Sequence, residues 1–285
     1  MIQTISEMMS HSFIQRAVLV GTLISLCAAL LGVSLVLKRY SMIGDGLSHV
    51  GFGVLTIATA FGSTSPLYWR NLETGKVTAL WKAGDRVRRD GQLDGVNGVT
   101  DPEAYGTVRE ETPEIVRAHP VAPEGVIRPE PVMLRKSEWT KVLGEGDFLL
   151  ALHIPGGEGY TPERVRHSCE TALAFYDRYY PEYTYKGFWS ESWLYDPGLR
   201  EILDPDRNII RVQKQFYCYP TEEGDRMIRL EVLGDENADP RKLTPRNSLE
   251  RGMFDVWDRG GRFHTTGMFL LREEVSRIGE DPYET

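Results

Sequence analysis

The feature that most limits this chain is a stretch of 21 residues, Ala17 to Leu37, without a charge. It reads AVLVGTLISLCAALLGVSLVL, and Lys38-Arg39 follows at once. At about 1.5 Å rise per residue, a helix of this length crosses a hydrocarbon core of roughly 30 Å. A basic pair at its end is typical of a span held on the cytoplasmic side. A signal peptide would have a shorter apolar core, and a small-residue cleavage site where Lys38-Arg39 stands. A buried core helix is the remaining alternative, but apolar residues on every face favour a transmembrane-type helix. Met42 to Gly62 is a second weakly polar stretch carrying Asp45 and His49. If it too enters the bilayer, those groups face a protein interior or an aqueous path; its length does not separate a second helix from an interfacial loop.

The rest of the chain has a different character. Before Leu67 the strong charges are Glu7, Arg16, Lys38, Arg39 and Asp45, a net +1, so residues 67–285 carry −9 within the chain's net −8. Such an acidic balance excludes an electrostatic nucleic-acid binder, which needs clustered Lys and Arg. Cys27, Cys169 and Cys218 form no close pair, so neither a zinc knuckle nor a disulfide framework is present in the pattern. The abrupt change between Phe61 and Pro66 divides the chain into residues 1–62 and 67–285.

Within the second part, short apolar pieces at Leu67–Trp69 and Val77–Trp81 flank a hairpin turn. Residues 91–131 are rich in Gly, Pro and charge and read as an irregular surface stretch or mobile connection. Phe148 to Ile154 is nearly continuous apolar sequence, the pattern of a strand covered on both faces. His153 within it is expected to be buried and hydrogen-bonded. Thr161-Pro162-Glu163 supplies an N-cap, a first-turn proline and an early acid. Val165, Cys169, Leu173 and Tyr176 then continue at helical spacing, with His167 on an exposed face. Asp196-Pro197 opens a short helix through Leu203. Partial alternation predicts strands over Ile210–Cys218 and Ile228–Val232. Thr244-Pro245 caps a helix ended by Gly260-Gly261, and Phe263–Leu271 reads as a last strand. The aromatics Phe175, Tyr176, Tyr179, Tyr180, Tyr183 and Tyr185 are expected in core and rim packing. Strands mixed with separate helices make this part α/β or α+β.

Two family resemblances sit on these parts. FIQRAVLVGTLISLCAALLGVSLVLKRYSMIGDGLSHVGFGVLTIA, from Phe13 to Ala58, resembles the start of the permease subunit of ABC-type zinc and manganese importers. Such permeases carry further membrane helices that build the metal path and dock an ATPase subunit, and none follows here. LHIPGGEGYTPERVRHSCETALAFYDRYYPE and FWSESWLYDPGLREILDPDRNIIRVQKQF resemble the C-terminal domain of a bacterial acyltransferase family with a GNAT-like fold. This resemblance implies a mixed sheet with flanking helices over residues 67–285, preceded by one or two hydrophobic helices. In that family an acyltransferase-associated domain normally stands where the permease-like segment stands here.

The second resemblance also implies chemistry: transfer of an acyl group from acyl-CoA to an amine. A glycine-rich strand-to-helix turn would hold the pyrophosphate, because a helix N-terminus presents unpaired N–H groups to an anion. Gly156, Gly157, Gly159 and Tyr160 occupy that turn. The loop departs from the family pattern at Ile154, where Gln or Arg is usual, and at Glu158, which adds a negative charge; a turn needed only for geometry is the plain alternative. Glu191 and His264 are the candidates for the base that takes the amine proton. Tyr195 is the candidate acid that returns a proton to the thiolate. Asp45 and His49 offer two ligands to a divalent metal, too few for a tetrahedral zinc site, so no metal site is assigned.

Three readings follow. The first is a GNAT-like N-acyltransferase module joined to a permease fragment that cannot transport alone; it would take a small-molecule acyl donor and amine acceptor, and touch the lipid bilayer through residues 17–37. The second is a membrane permease component of a zinc/manganese ABC importer, with an ABC ATPase subunit as partner. The third is a non-catalytic product of gene fusion or faulty assembly. The first two place the chain at the inner (cytoplasmic) membrane with its soluble domain in the cytoplasm; without a genuine N-terminal segment it would be wholly cytoplasmic.

Overall fold

The computed structural model describes residues 66–154 and 159–284. The chain divides into two compact units, residues 1–56 and 57–285, and everything below concerns the second. The runs Ala17–Leu37 and Met42–Gly62, with Asp45 and His49, lie outside the described residues. Among the described residues, no helix is long and apolar enough to cross a membrane.

The unit opens with the expected hairpin, β1 (Leu67–Asn71) against β2 (Val77–Leu80). Short strands follow as β3 (Arg86–Val87), β4 (Tyr105–Gly106), β5 (Arg109–Glu111), β6 (Ile115–Ala118), β7 (Pro120–Ala122), β8 (Val126–Ile127), β9 (Val132–Arg135) and β10 (Trp139–Leu143). They form a five-stranded sheet β10-β1-β2-β7-β8, a three-stranded sheet β5-β6-β9 and the pair β3-β4. Alternation along the hairpin explains the layering. Tyr68, Val77 and Ala79 enter one core while Trp69 and Leu80 enter another with Val116, Ala118 and Leu134. Both faces of the hairpin are therefore covered.

The expectation of an irregular stretch over 91–131 is corrected. Leu93, Val116, Ala118, His119, Val121 and Ile127 are buried there. His119 Nδ1 lies 3.0 Å from the Arg128 carbonyl, and its ring stacks on Tyr105. Strands of two to four residues leave too little periodicity to read.

The second half carries a four-stranded sheet β11-β12-β14-β13, built from β11 (Phe148–Ala151), β12 (Tyr185–Ser192), β13 (Tyr217–Pro220) and β14 (Thr266–Leu271). Helix α1 (Pro162–Tyr179) connects β11 to β12, which run parallel. Thr161 caps it, accepting from the Arg164 amide, and Pro162 stands in the first turn. Val165 and Cys169 are buried against the sheet, with Ala172, Leu173 and Tyr176 packed beside them. The α1 aromatics form the rim of this core: Phe175, Tyr179, Tyr180 and Tyr183 are exposed, and only Tyr185 of the six is buried. Gly187 sits where the β11–β12 register shifts, and a Cβ there would run into the Leu270 carbonyl of β14. Only glycine permits that approach. The two large sheets meet through Tyr68, whose ring is 5.2 Å from Tyr217 and 4.7 Å from Phe269. Tyr217 pins the join, its hydroxyl donating to the Val121 carbonyl at 2.6 Å and accepting from the Ala79 amide at 3.1 Å.

Four more helices, α2 (Leu199–Ile202), α3 (Asn208–Gln213), α4 (Arg226–Leu233) and α5 (Ser248–Asp258), contribute to a separate core around Leu199, Ile210, Ile228, Met253 and Trp257. Both strands expected over 210–218 and 228–232 are therefore corrected. Residues four apart satisfy helical spacing as well as strand spacing, and Ile228 and Val232 are buried while Leu230 between them is 46% exposed. The segment 208–220 splits into α3 and then β13. Helix α5 starts later than Thr244-Pro245 suggests. Asn247 caps it through the Glu250 amide at 2.9 Å, and Glu250 reaches back to the Arg246 amide, a reciprocal arrangement akin to a capping box.

Candidate active site

Ligands of open α/β sheets bind beyond the carboxyl ends of the parallel strands, and the β11–α1–β12 crossover supplies such an end. The Leu152 amide still donates to the Trp189 carbonyl at 2.7 Å. Beyond that bond the two strands part. Ser190, Glu191 and Ser192 remain paired with Met268, Gly267 and Thr266 of β14. Among the described residues, no strand pairs with their opposite edge. A cavity of about 470 Å³ opens there, walled by His153, Ile154, Tyr160, Ser190, Glu191 and Ser192, with Leu152, Leu194, Ile209 and Glu231 completing it.

Glu191 is in contact with solvent, yet the protein around it strips enough hydration to push its carboxyl up to about 7, with the nearby Glu223 carboxylate adding to the shift. It also borders a smaller cavity of about 150 Å³ with Trp81, Lys82, Tyr219, Glu222 and Glu223. A carboxyl that titrates near neutrality is suited to taking and releasing a proton. Tyr195 is wholly buried, and its hydroxyl lies 2.6 Å from that of Tyr160. Ser190 hydrogen-bonds Tyr195 as well. Burial raises both tyrosine hydroxyls well above their ordinary range, so both keep their protons at neutral pH.

Of the turn, Gly156 and Gly157 lie outside the described residues, as do Pro155 and Glu158. Gly159 has φ 111, and a Cβ on it would collide with the Arg164 guanidinium. A cation therefore lies against the turn at the N-terminus of α1, where first-turn amides point outward. His264 is placed elsewhere. It borders a second cavity with Asp196 and is absent from the wall of the first. The structure thus joins Glu191 and Tyr160 in one site, with Tyr195 behind Tyr160, and separates His264 from them.

One wall residue and one residue beside the turn escape the sequence reading. His153 is exposed rather than buried, because β11 ends at Ala151. The signal is Pro155, which ends a strand early and leaves the preceding residues on the mouth. Arg164 is three residues past the Thr161 cap, in the first turn of α1, with its guanidinium against Gly159.

The family model described as "GNAT-like C-terminal domain" matches residues 93–270, more than half of the chain. The chain belongs to that family. The match to the GNAT-like C-terminal domain takes in the crossover, the cavity and all four strands of its sheet. A second model, "ABC 3 transport family", matches residues 10–84. Its last part covers β1 and β2, whose Tyr68 packs on Tyr217 and Phe269 of the GNAT-like domain. No curated protein matches the chain in sequence. Among solved structures, one described as an acyltransferase in complex with decanoyl-CoA is similar at 23% identity and TM-score 0.40, over 57% of this chain. Another, in complex with decanoyl-CoA and teicoplanin, is similar at 24% identity and TM-score 0.41, over the same share. The chain spans 46% of the length of each.

Proposed function

We infer that the GNAT-like domain transfers an acyl group from an acyl-CoA thioester to an amine, in the cavity between the parting ends of β11 and β12. The observation that carries this reading is Glu191, a carboxyl pushed up to about 7 beside a strand edge that no strand pairs among the described residues. The amine nitrogen attacks the thioester carbonyl, so a C–N bond forms and the C–S bond breaks. Glu191 takes the amine proton. Tyr160, oriented by Tyr195, gives its hydroxyl proton to the departing thiolate and recovers one from solvent. Arg164 and the first-turn amides of α1 suit the phosphates of the donor, and Ile154, Leu194 and Ile209 give an apolar wall suited to an acyl chain. His153 stands on the same wall as a second group able to accept a proton.

The test is to incubate the full chain with acetyl-CoA and a panel of primary amines, and to follow free thiol. Amine-dependent thiol release that is lost in Glu191→Gln is the expected result. Thiol release that is absent with every amine, or unchanged in the variant, overturns the reading.

The match to the ABC 3 transport family over residues 10–84 favours a second statement. It supports a permease-type N-terminal segment that seats the chain at the inner membrane through residues 17–37, with the GNAT-like domain in the cytoplasm. Membrane fractionation of the full chain tests it, since recovery wholly in the soluble fraction contradicts membrane seating. An ABC ATPase subunit co-purifying with the chain would instead support the importer reading. Sequencing across residues 57–67 in independent isolates separates a genuine fusion from an assembly error.

A further inference from the structure

We propose that Glu191 sheds the amine proton through the small cavity beside it, by way of water and the Glu223 carboxylate. Glu223 is then a positioning residue that acts through Glu191, and the inference rests on Glu191 as the base of acyl transfer.

Glu191 stands between two cavities, the acyl-transfer cavity of about 470 Å³ and the small one of about 150 Å³. Among the described residues it is the one wall residue they share. Alternation along β12 turns Ser190 towards Tyr195 and Glu191 towards the face of Trp189. The Trp189 indole in turn donates at 2.8 Å to the hydroxyl of Tyr219, which lies on the small-cavity wall.

Volume decides what each cavity can hold. The small one falls below the roughly 300–1,000 Å³ of ordinary small-molecule sites. It has room for roughly five water molecules at about 30 Å³ each. Donor and amine fill the larger cavity during the reaction and displace water from it, so a proton on Glu191 is cut off from solvent there. The small cavity stays open, because Glu191 is all that the two have in common. Its outer wall carries Glu222 and Glu223, both exposed. Thr221 fixes that segment, its hydroxyl donating to the Thr265 carbonyl at 2.6 Å and accepting from the Glu223 amide at 3.3 Å.

A cation on the wall would oppose a passing proton, and Lys82 is such a cation. It lies 3.4 Å from Asp85 and 3.5 Å from Glu222, so two carboxylates counter its charge. Glu223 has no ion pair among the described residues, which leaves its carboxylate to take a proton.

The proton count closes. An amine N–H bond breaks and the Glu191 O–H bond forms as the C–N bond is made. The Glu191 O–H bond then breaks as a cavity water takes the proton and passes one to Glu223, which releases it to bulk solvent. Tyr160 takes one proton back from solvent in the same turnover.

The charged and titratable groups around Glu191 are Lys82, Tyr219, Glu222 and Glu223 on the small-cavity side, and His153, Tyr160 and Glu231 on the other. Burial is the main cause of its raised carboxyl and the Glu223 carboxylate the second. Neutralising Glu223 therefore lowers the midpoint without returning it to the ordinary carboxyl range.

The experiment follows thiol release from acetyl-CoA with an amine acceptor, using the full chain, across pH and across concentrations of MES at constant ionic strength. MES is a tertiary amine that carries protons and cannot be acylated. Glu223→Gln should lower kcat several-fold, move the rate midpoint below that of the parent, and recover rate as MES is raised. The parent should not respond to MES, and Glu223→Asp should restore most of the rate. A carbon-13 carboxyl NMR titration, with the Glu191 signal assigned by its loss in Glu191→Gln, should show the same fall in midpoint without turnover. A parent-like kcat, an unmoved midpoint or no MES response in Glu223→Gln overturns the inference, and an inactive Glu191→Gln then leaves the base role standing. Glu191→Gln with the parent's rate removes the base role and this inference with it.

Discussion

The hydroxyls of Tyr160 and Tyr195 lie 2.6 Å apart, one at the cavity wall and the other wholly buried behind it. The buried ring fixes where the half-buried Tyr160 hydroxyl points, and Ser190 fixes the Tyr195 hydroxyl in turn. In Tyr195→Phe the Tyr160 hydroxyl loses that partner. Urea unfolding should show a loss of about 1–2 kcal/mol. Tyr160→Phe should lower kcat more than Tyr195→Phe does, with KM for the acyl donor little changed. Equal kcat in both variants and the parent would remove the proton-return role.

Glu191 should set the pH dependence of both rate and stability. As a base it must be ionised, so activity should rise with pH around a midpoint near 7. Glu191→Gln should cost on the order of a hundredfold in kcat and abolish that limb. Its stability effect has the opposite sense. A carboxyl raised in the folded state binds its proton more tightly there than in the unfolded chain. Its contribution is therefore best in acid and is lost as pH rises from the ordinary carboxyl range through about 7. Thermal melts should show Glu191→Gln gaining on the parent above pH 7 and matching it near pH 4.

Arg164 should matter for the donor alone. Arg164→Ala removes the cation lying against Gly159 and leaves the Thr161 cap in place. KM for acetyl-CoA should rise several-fold, with a weaker dependence on salt than in the parent. The amine KM and kcat should stay within about twofold, as for an interaction equal in ground and transition states. An unchanged acetyl-CoA KM would place the phosphates elsewhere.

Gly267 is paired with both Glu191 and Tyr219 across the sheet. A Cβ on it would collide with the Tyr219 ring, whose hydroxyl accepts from Trp189 Nε1 at 2.8 Å. Gly267→Ala should destabilise the domain by about 1–3 kcal/mol, read as a lower urea midpoint with altered near-ultraviolet circular dichroism.

The parts legible in the sequence are those with strong local signals. Thr161-Pro162-Glu163 marks α1 because cap, proline and acid all act within one turn, and Leu149-Leu150 marks a strand covered on both faces. The hairpin Leu67–Leu80 is legible because its turn is short. The small strands of residues 105–127 are not legible, since each is only two to four residues long and offers too little alternation to set a period. Helix α4 reads as a strand because Ile228 and Val232 fit both periods, and only the exposure of Leu230 decides between them. Tyr160 is read from its place in the glycine-rich turn and Glu191 from its residue type within Trp189–Trp193, and the fold sets both on one cavity wall. The remoteness of His264 depends on how β14 is approached, and the exposure of His153 depends on where β11 stops. Neither is a property of neighbouring residues.

Hydrogen–deuterium exchange of the full chain, with and without acetyl-CoA, tests the central claim most directly. The Glu191 amide on the open β12 edge, and the amides from Gly159 to Arg164, should exchange more slowly in the presence of the donor. Exchange unchanged at both stretches, with protection confined to other parts of the chain, would contradict a donor site at the parting of β11 and β12.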